Sequence, residues 1–129
     1  KNNNLQVKAI VNFFGPTDMT DMYNNPLSPL IPSAIEAVVG STPTGNPNLY
    51  TQSSPINFVS AQSPPTITLQ GGMDPLVSPA QQIALKARLD ANSVTNEYVF
   101  YPTEAHGWVG ASMTDSYNRI KSFITANVH

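Results

Sequence analysis

Apolar residues gather in three short runs that predict buried β-strands. The runs are residues 7–14, which begin with Val7 and end with Phe14, residues 66–70 and residues 96–101. Each is rich in β-branched or aromatic side chains and is followed by Gly or Pro. Apolar residues occupy both parities of the first run, which is typical of a strand covered on both faces of a parallel sheet.

A helix is predicted between the second and third strands. Ser78 can cap it, Pro79 suits its first position, and it should end near Asn92. Its expected apolar face comprises Ile83, Ala84, Leu85, Ala87 and Leu89.

A second helix is predicted after the third strand. Ser112 and Asp115 have the spacing of a capping box at its start. Its apolar positions follow at intervals of four, three and four: Met113, Tyr117, Ile120 and Ile124.

Residues 18–65 are rich in Pro, Asn and Ser and predict a long insertion. One short helix is expected within it, at residues 34–39, with Ser33 and Glu36 as its capping box and Gly40 as its stop. Strands that alternate with helices indicate an α/β fold with a three-stranded parallel sheet and flanking helices. We therefore expect one partial domain over residues 1–129, with an insertion or cap-like segment at 18–65 and a β-α-β-α unit at 66–129.

Composition narrows the function classes. Hydrophobic residues make up 40% of the 129 positions, charged residues only 11%, and the net charge is −2. Such a balance gives no reason to expect nucleic acid or an anionic membrane as a partner. There are no cysteines, so disulfides and thiolate metal sites are excluded. No His-Glu-x-x-His spacing or phosphate-binding glycine loop occurs, and no metal or other cofactor is expected.

Two reactive side chains follow neighbouring strands. Asp74 comes after the second strand and His106 after the third, 32 residues later. Ligand sites in open parallel sheets lie beyond the carboxyl ends of the strands, so the two can meet, and the Asp can orient the imidazole. Each also has an ordinary interpretation, Asp74 as a turn or helix-start residue and His106 as a solvated loop residue.

Four stretches resemble α/β-hydrolases of the esterase/lipase, dienelactone hydrolase and prolyl oligopeptidase groups. Residues 71–77, Gly-Gly-Met-Asp-Pro-Leu-Val, look like the stretch that carries the triad acid, and residues 104–108, Glu-Ala-His-Gly-Trp, resemble the stretch that carries the histidine. Residues 7–18 are similar to the strand after the nucleophile helix of the group, and residues 54–60 with 63–65 are similar to its lead-in to the acid-bearing strand. The resemblance implies the C-terminal portion of an α/β-hydrolase, with Asp74 and His106 as catalytic residues.

The nucleophile of that family is absent from these residues. It lies in Gly-x-Ser-x-Gly, upstream of the acid, and that pattern occurs nowhere in the chain. The chain opens Lys-Asn-Asn-Asn without an initiator methionine, so we expect a fragment of a serine carboxylic-ester hydrolase that is inactive alone. The resemblance implies small acyl esters as substrates, including acetylated or feruloylated carbohydrates, and no cofactor.

Several other side chains have two interpretations each. Trp108 either contacts substrate or closes the core. Asp18 is expected to cap a helix or to brace its loop rather than to act in catalysis. His129 is expected to be a chain end. A substrate-binding role in an acyl pocket, or ordinary packing under the insertion, is open for three residues: Met19, Met22 and Tyr23.

Two other functions remain open. The parent could be a prolyl oligopeptidase-type serine peptidase, which shares the acid and histidine stretches. Alternatively the chain could be a non-catalytic assembly module, because the strand at residues 7–14 would have an open outer edge that recruits another strand. We expect it to pair there with a second copy or with a missing N-terminal half. The compartment is not indicated.

Overall fold

The structure is a computed structural model that describes residues 6–129; the opening Lys-Asn-Asn-Asn stretch lies outside them. Its elements are, in chain order, β1 (Ile10–Phe13), α1 (Met19–Asn24), α2 (Ile31–Val39), α3 (Pro47–Gln52), a 3-10 helix (Pro55–Phe58), β2 (Thr66–Gly71), α4 (Pro79–Ala91), β3 (Asn96–Tyr101) and α5 (Gly110–Asn127).

The sheet has three parallel strands in the order β1-β2-β3, as the sequence predicts. β2 is central and buried along its whole length. β1 is shorter than the run at residues 7–14 and is not covered on both faces, since Ile10 and Val11 are exposed. The expectation of a fully buried first strand is therefore wrong for this chain, because β1 lies at an edge and has β2 as its one neighbour among residues 6–129.

The main core packs between the sheet and α5. Its buried members are Ile67, Leu69, Val99, Trp108 and Phe123, from all the layers that meet there. A second cluster joins α1, α2 and α3 around Ile31, Ile35 and Tyr50. No helix within residues 6–129 is long and apolar enough to span a membrane.

Helix α4 begins and ends where the sequence predicts, but its buried face differs. Ser78 caps it, with its hydroxyl accepting from Ala80 N–H at 3.2 Å. Ile83 is 57% exposed, and Ala84 and Ala87 are exposed as well. The buried positions are Gln81, Gln82, Leu85 and Leu89. Two amides face inward because they bond to the loop that follows β1.

The predicted start of α5 is also wrong. The helix begins at Gly110, and its cap residue Val109 makes no side-chain capping bond. Ser112 instead donates to Glu104 at 2.6 Å, and Asp115 accepts from Tyr101. The buried face is rotated: Tyr117 and Ile124 are exposed, and the inward positions are Met113, Ser116, Ile120 and Phe123.

The insertion contains more regular structure than expected. The sequence predicts one helix at residues 34–39, whereas α1, α2, α3 and the 3-10 helix all lie between residues 19 and 58. Helix α2 begins three residues earlier, with Pro32 in its first turn, so Ser33 lies inside it. Glu36 accepts from the Tyr23 hydroxyl at 2.5 Å. Gly40 does end α2, in the left-handed conformation with φ 87°.

Candidate functional site

The loops that follow β2 and β3 are joined by backbone hydrogen bonds. Gly72 N–H donates to the Tyr101 carbonyl at 2.8 Å, and Met73 N–H donates to the Glu104 carbonyl at 2.9 Å. These bonds continue the parallel pairing of the two strands past the edge of the sheet. The loop with Asp74 therefore runs directly beside the loop with His106.

The Gly-Gly pair makes this approach possible. A Cβ on Gly71 would lie 2.2 Å from the carbonyl oxygen of Ala105, and one on Gly72 would lie 2.5 Å from that of Pro102. Both distances are far inside van der Waals contact, and both obstacles are backbone atoms. Positions 71 and 72 therefore need glycine for close packing rather than for an unusual φ.

Asp74 and His106 meet as the sequence predicts. Oδ2 of the carboxylate lies 2.8 Å from Nδ1 of the imidazole. The Asp74 side chain is 0% exposed, whereas the His106 side chain is 32% exposed. The pair thus has a buried acidic end and a histidine that reaches solvent.

Four hydrogen bonds surround the Asp74 carboxylate. Oδ1 accepts from the backbone N–H groups of Leu76 and Val77, at 2.8 and 2.9 Å. Oδ2 accepts from Gln70 Nε2 at 3.1 Å as well as from His106. Burial raises the pKa of Asp74, but the bonds from Val77, Leu76, His106 and Gln70 together hold that pKa below its usual value. The group is ionised at neutral pH.

The charge on Asp74 determines the tautomer of His106. An ionised carboxylate only accepts hydrogen bonds, so Nδ1 must carry the proton. In the neutral imidazole, Nε2 then has a free lone pair. It has no hydrogen-bond partner among residues 6–129. The arrangement can take a proton from a hydroxyl or a water molecule placed on that side of the ring.

Gln70 is a site residue that the sequence interpretation missed. Its side chain is fully buried, and Nε2 contacts the carbonyls of Gly71 and Val77 at 3.0 and 3.1 Å in addition to Asp74. Three acceptors around one nitrogen exclude the flipped amide. Its Oε1 has no partner within the described part of the chain. The one available signal was its position, four residues before Asp74 at the end of a strand.

Phe14 was also missed. Its ring lies against the imidazole of His106, with 4.5 Å between ring centroids and 57° between planes. The neighbouring Trp108 is 6% exposed, contacts Phe14 at 5.4 Å and donates from Nε1 to Ser116 Oγ at 2.8 Å. Closing the core is the role of Trp108 that this geometry shows, and a contact with substrate remains a prediction.

The other candidate residues lie in the first helix of the insertion. Asp18 caps α1 by accepting from Asp21 N–H at 3.0 Å, which confirms the capping interpretation. Three side chains pack against the cluster of Ile31, Ile35 and Tyr50 rather than against His106: Met19, Met22 and Tyr23. Packing is their observed role, and a contact with substrate remains a prediction.

Within residues 6–129, no three His, Cys, Asp or Glu side chains gather as a potential metal site. The buried, ionised Asp74 and the partly exposed His106 are arranged so that the carboxylate can orient the imidazole.

Comparison with known proteins identifies the family. A family model described as BD-FAE matches residues 1–89 of the chain. The chain belongs to the BD-FAE family. The match includes Asp74 and Gln70, whereas His106 lies beyond it.

Individual relatives of this BD-FAE chain are esterases and peptidases of the α/β-hydrolase type. Esterase LipQ of Mycobacterium tuberculosis (strain ATCC 25618 / H37Rv) is 33% identical over 103 residues, which are 79% of this chain and 24% of LipQ. A truncated form of a carbohydrate esterase from gut microbiota is 27% identical, with a TM-score of 0.73 over 93% of this chain and 44% of its own.

A third relative, a puromycin-hydrolyzing peptidase of Mycobacterium tuberculosis, has a TM-score of 0.80 at 21% identity, over 93% of this chain and 18% of its own. The BD-FAE chain thus has the α/β-hydrolase fold. It spans about a quarter of the length of LipQ and less than half of the solved carbohydrate esterase.

Proposed function

We propose that the BD-FAE chain supplies the general base and its orienting acid to a serine-dependent hydrolysis of carboxylic esters. The observation that supports this is the 2.8 Å contact between buried, ionised Asp74 and the Nδ1 atom of His106, whose Nε2 atom is free. In this proposal the two residues form a triad with a serine.

The proposed chemistry follows from the free Nε2 lone pair. His106 takes the proton of the serine hydroxyl as the oxygen attacks the acyl carbon, and the ionised Asp74 stabilises the imidazolium that results. His106 then returns the proton to the departing alcohol as the ester bond breaks. A water molecule repeats the same steps on the acyl-enzyme and releases the acid.

The serine is not among these 129 residues in the Gly-x-Ser-x-Gly form that the mechanism uses. We likewise propose no hydrogen-bond donor for the oxyanion among these residues. We therefore propose that residues 1–129 by themselves do not hydrolyse esters and act as part of a longer hydrolase. Removing one oxyanion donor alone lowers turnover by about 10²–10³, and without a nucleophile this mechanism stops.

Small acyl esters are the proposed substrates, and acetylated or feruloylated carbohydrates are the natural class to test. Support comes from the 27% identical relative that is named a carbohydrate esterase and from the 33% identical esterase LipQ. The acyl group and the alcohol are left to the assay.

The test is to express the protein from its complete reading frame and to follow hydrolysis of p-nitrophenyl acetate. His106→Ala should lower turnover by about 10⁶, and Asp74→Asn by about 10⁴. His129→Ala is the matched control, because it removes the second histidine of these 129 residues from an exposed position. Near-normal rates in either site variant would mean that the pair has no such role.

The same variants distinguish an esterase from a peptidase. Aminoacyl p-nitroanilides are assayed beside the acetate ester, since the puromycin-hydrolyzing peptidase shares the fold. Cleavage of the anilides at the higher kcat/KM, with loss in His106→Ala, would assign the pair to a serine peptidase instead.

Assembly is a second candidate function, and the open edge of β1 is the observation that favours it. Ile10 N–H and Phe14 N–H donate to the carbonyls of Pro65 and Leu69 at 2.9 and 2.8 Å, so the alternate Val11 N–H faces away from β2. Beside this edge lies an apolar groove of ≈ 450 Å³, whose lining includes Ile10, Val11, Phe58, Val59 and Leu89.

The occupant we propose for this edge is a strand of a second copy, added to β1 in the way that exposed strand edges pair. Light scattering over a dilution series tests it. A monodisperse monomer at all concentrations would exclude self-association and leave only a segment of the same longer protein as a partner for the edge.

A further inference from the structure

Phe14 has a backbone conformation that bulky side chains seldom adopt. Its φ is +41°, in the left-handed region that favours glycine. Strained residues of this kind persist only where the surrounding structure holds them, and they cluster at functional sites. From this outlier and its contacts we propose that Phe14 is a positioning residue for His106, which deepens the proposed function and rests on it.

A polar clamp holds the turn that contains Phe14. Asn12 Nδ2 donates to Gln82 Oε1 at 2.8 Å, Gln82 Nε2 donates to the Gly15 carbonyl at 2.7 Å, and Gly15 N–H donates back to Asn12 Oδ1 at 3.0 Å. Phe14 N–H itself donates to the Leu69 carbonyl of the central strand at 2.8 Å. The clamp determines the direction in which the ring leaves β1.

That direction is toward the proposed site. The Phe14 ring lies 4.5 Å from the His106 ring, and its tip would be 3.9 Å from a Cβ on Gly107. Trp108 packs on another side of Phe14, with 5.4 Å between centroids. Phe14 is thus wedged between the histidine loop and the core.

The histidine needs such a support. Its loop is held on one side by the Asp74 bond, but a third of its side chain is exposed. Gly107, the next residue, has φ 114°, which leaves the backbone beside it adaptable. With the tilted Phe14 ring 4.5 Å from the imidazole, rotation of His106 away from Asp74 and into water loses an aromatic contact as well as a hydrogen bond.

The alternative interpretation is that Phe14 only fills the hydrophobic core and does not position His106. In that case its replacement lowers stability and leaves the state of the His106 ring unchanged. If it positions the ring, its replacement changes the imidazole while the fold persists. A spectroscopic measurement on His106 itself distinguishes the positioning role from the packing role.

The test uses NMR on the 129-residue chain, in the wild type and in two variants. Long-range ¹H–¹⁵N spectra give the tautomer of His106, with His129 as an internal reference, and the exchange of the Nδ1 proton with water gives the stability of the Asp74 contact. Phe14→Leu keeps apolar volume and removes the ring. Phe14→Gly removes the ring and also relieves the strain of the positive φ. This variant is therefore expected to stay folded even if Phe14→Leu does not.

Ser93→Gly is the matched control for backbone strain. Ser93 also has a positive φ, 57°, but lies in the turn after α4. It should leave the His106 spectra unchanged. Circular dichroism on every variant confirms the fold.

We expect wild-type His106 to carry its proton on Nδ1 and to show nuclear Overhauser contacts to the Phe14 ring. In both Phe14 variants the Nδ1 proton should exchange about fivefold faster, the factor that corresponds to an aromatic contact of about 1 kcal/mol. Unchanged exchange in both variants, or no contact between the rings in the wild type, would overturn the positioning role and leave the proposed function standing. A wild-type His106 protonated on Nε2 would overturn the proposed function itself.

Discussion

Replacing Asp74 with Asn tests the proton arrangement of the site, because the surroundings decide which way the new amide must point. The backbone N–H groups of Leu76 and Val77 both donate to Oδ1, so the amide oxygen has to take that place. The amide NH₂ then takes the place of Oδ2, facing Gln70 Nε2 and His106 Nδ1. The N–H groups of Gln70 and His106 then face a third donor, the new amide NH₂. These hydrogen bonds cannot form unless a neighbour changes.

The magnitude follows from what each neighbour can do. His106 can move its proton to Nε2 and accept from the amide, so that contact is largely kept, with the tautomer reversed. Gln70 cannot turn its oxygen toward the new amide, because its nitrogen faces the carbonyls of Gly71 and Val77, so its bond to position 74 is lost and its two hydrogens are left to those carbonyls. One hydrogen bond to a charged group is lost, so we expect the free energy of unfolding to fall by about 1.5–3 kcal/mol at pH 7.

The effect should depend on pH with a definite sign. The folded-state pKa of Asp74 is lowered, since the bonds to its carboxylate outweigh burial, so the ionised group stabilises the fold above its unfolded pKa of about 3.9. That contribution is lost as pH falls through the folded-state value. The difference between wild type and Asp74→Asn should therefore shrink below about pH 4. All other carboxyl groups are common to both proteins and cancel.

Urea denaturation followed by the fluorescence of Trp108, the single tryptophan, measures the stability difference at each pH. The long-range ¹H–¹⁵N spectrum measures the tautomer of His106 at pH 7. A stability difference that stays constant down to pH 3, or a His106 that keeps its proton on Nδ1 in the variant, would refute the reasoning.

Three further predictions concern the same framework. Gly71→Ala places a Cβ 2.2 Å from a backbone carbonyl oxygen and should destabilise the fold by about 1–3 kcal/mol, measured by urea denaturation; an unaffected midpoint would mean that the two loops separate freely. Gln70→Leu removes a donor to Asp74 and should raise the pKa of that carboxyl, as read by ¹³C NMR titration; an unchanged pKa would remove Gln70 from the site. Val11→Pro removes the N–H that faces the open edge and should dissociate any dimer seen by light scattering, whereas a dimer that persists would have another interface.

The sheet and its connecting helix were predictable because their signals are local. β2 and β3 are short apolar runs ended by Gly or Pro, and α4 begins with a Ser-Pro cap. Which face of a helix is buried is not local. Gln81 faces inward because Thr17 N–H and Asp18 N–H donate to its Oε1, at 3.0 and 2.8 Å, and no hydrophobic periodicity predicts a buried glutamine.

The residues of the candidate site also fall into a group that was predictable from the sequence and a group that was not. Asp74 and His106 were found because strand ends of a parallel sheet meet at one edge, so a position in the chain is enough to bring them together. Gln70 was missed because its role depends on the orientation of its side-chain amide. Phe14 was missed because its role depends on a backbone dihedral angle. Neither quantity can be read from residue type.

The Asp74–His106 pair owes its geometry to one contiguous β-α-β unit and to the residue that follows the edge strand. Residues 66–106 supply both partners of the 2.8 Å contact and the hydrogen bonds that orient Asp74. Phe14, the residue directly after β1, adds the ring that lies against the imidazole. A disturbance at β1 should therefore reach His106 through Phe14 before it reaches Asp74, because the other three bonds to the carboxylate come from Gln70, Leu76 and Val77. Exchange of the His106 Nδ1 proton and titration of the Asp74 carboxyl, measured in the same sample, can resolve this order. The histidine should respond first and the acid second.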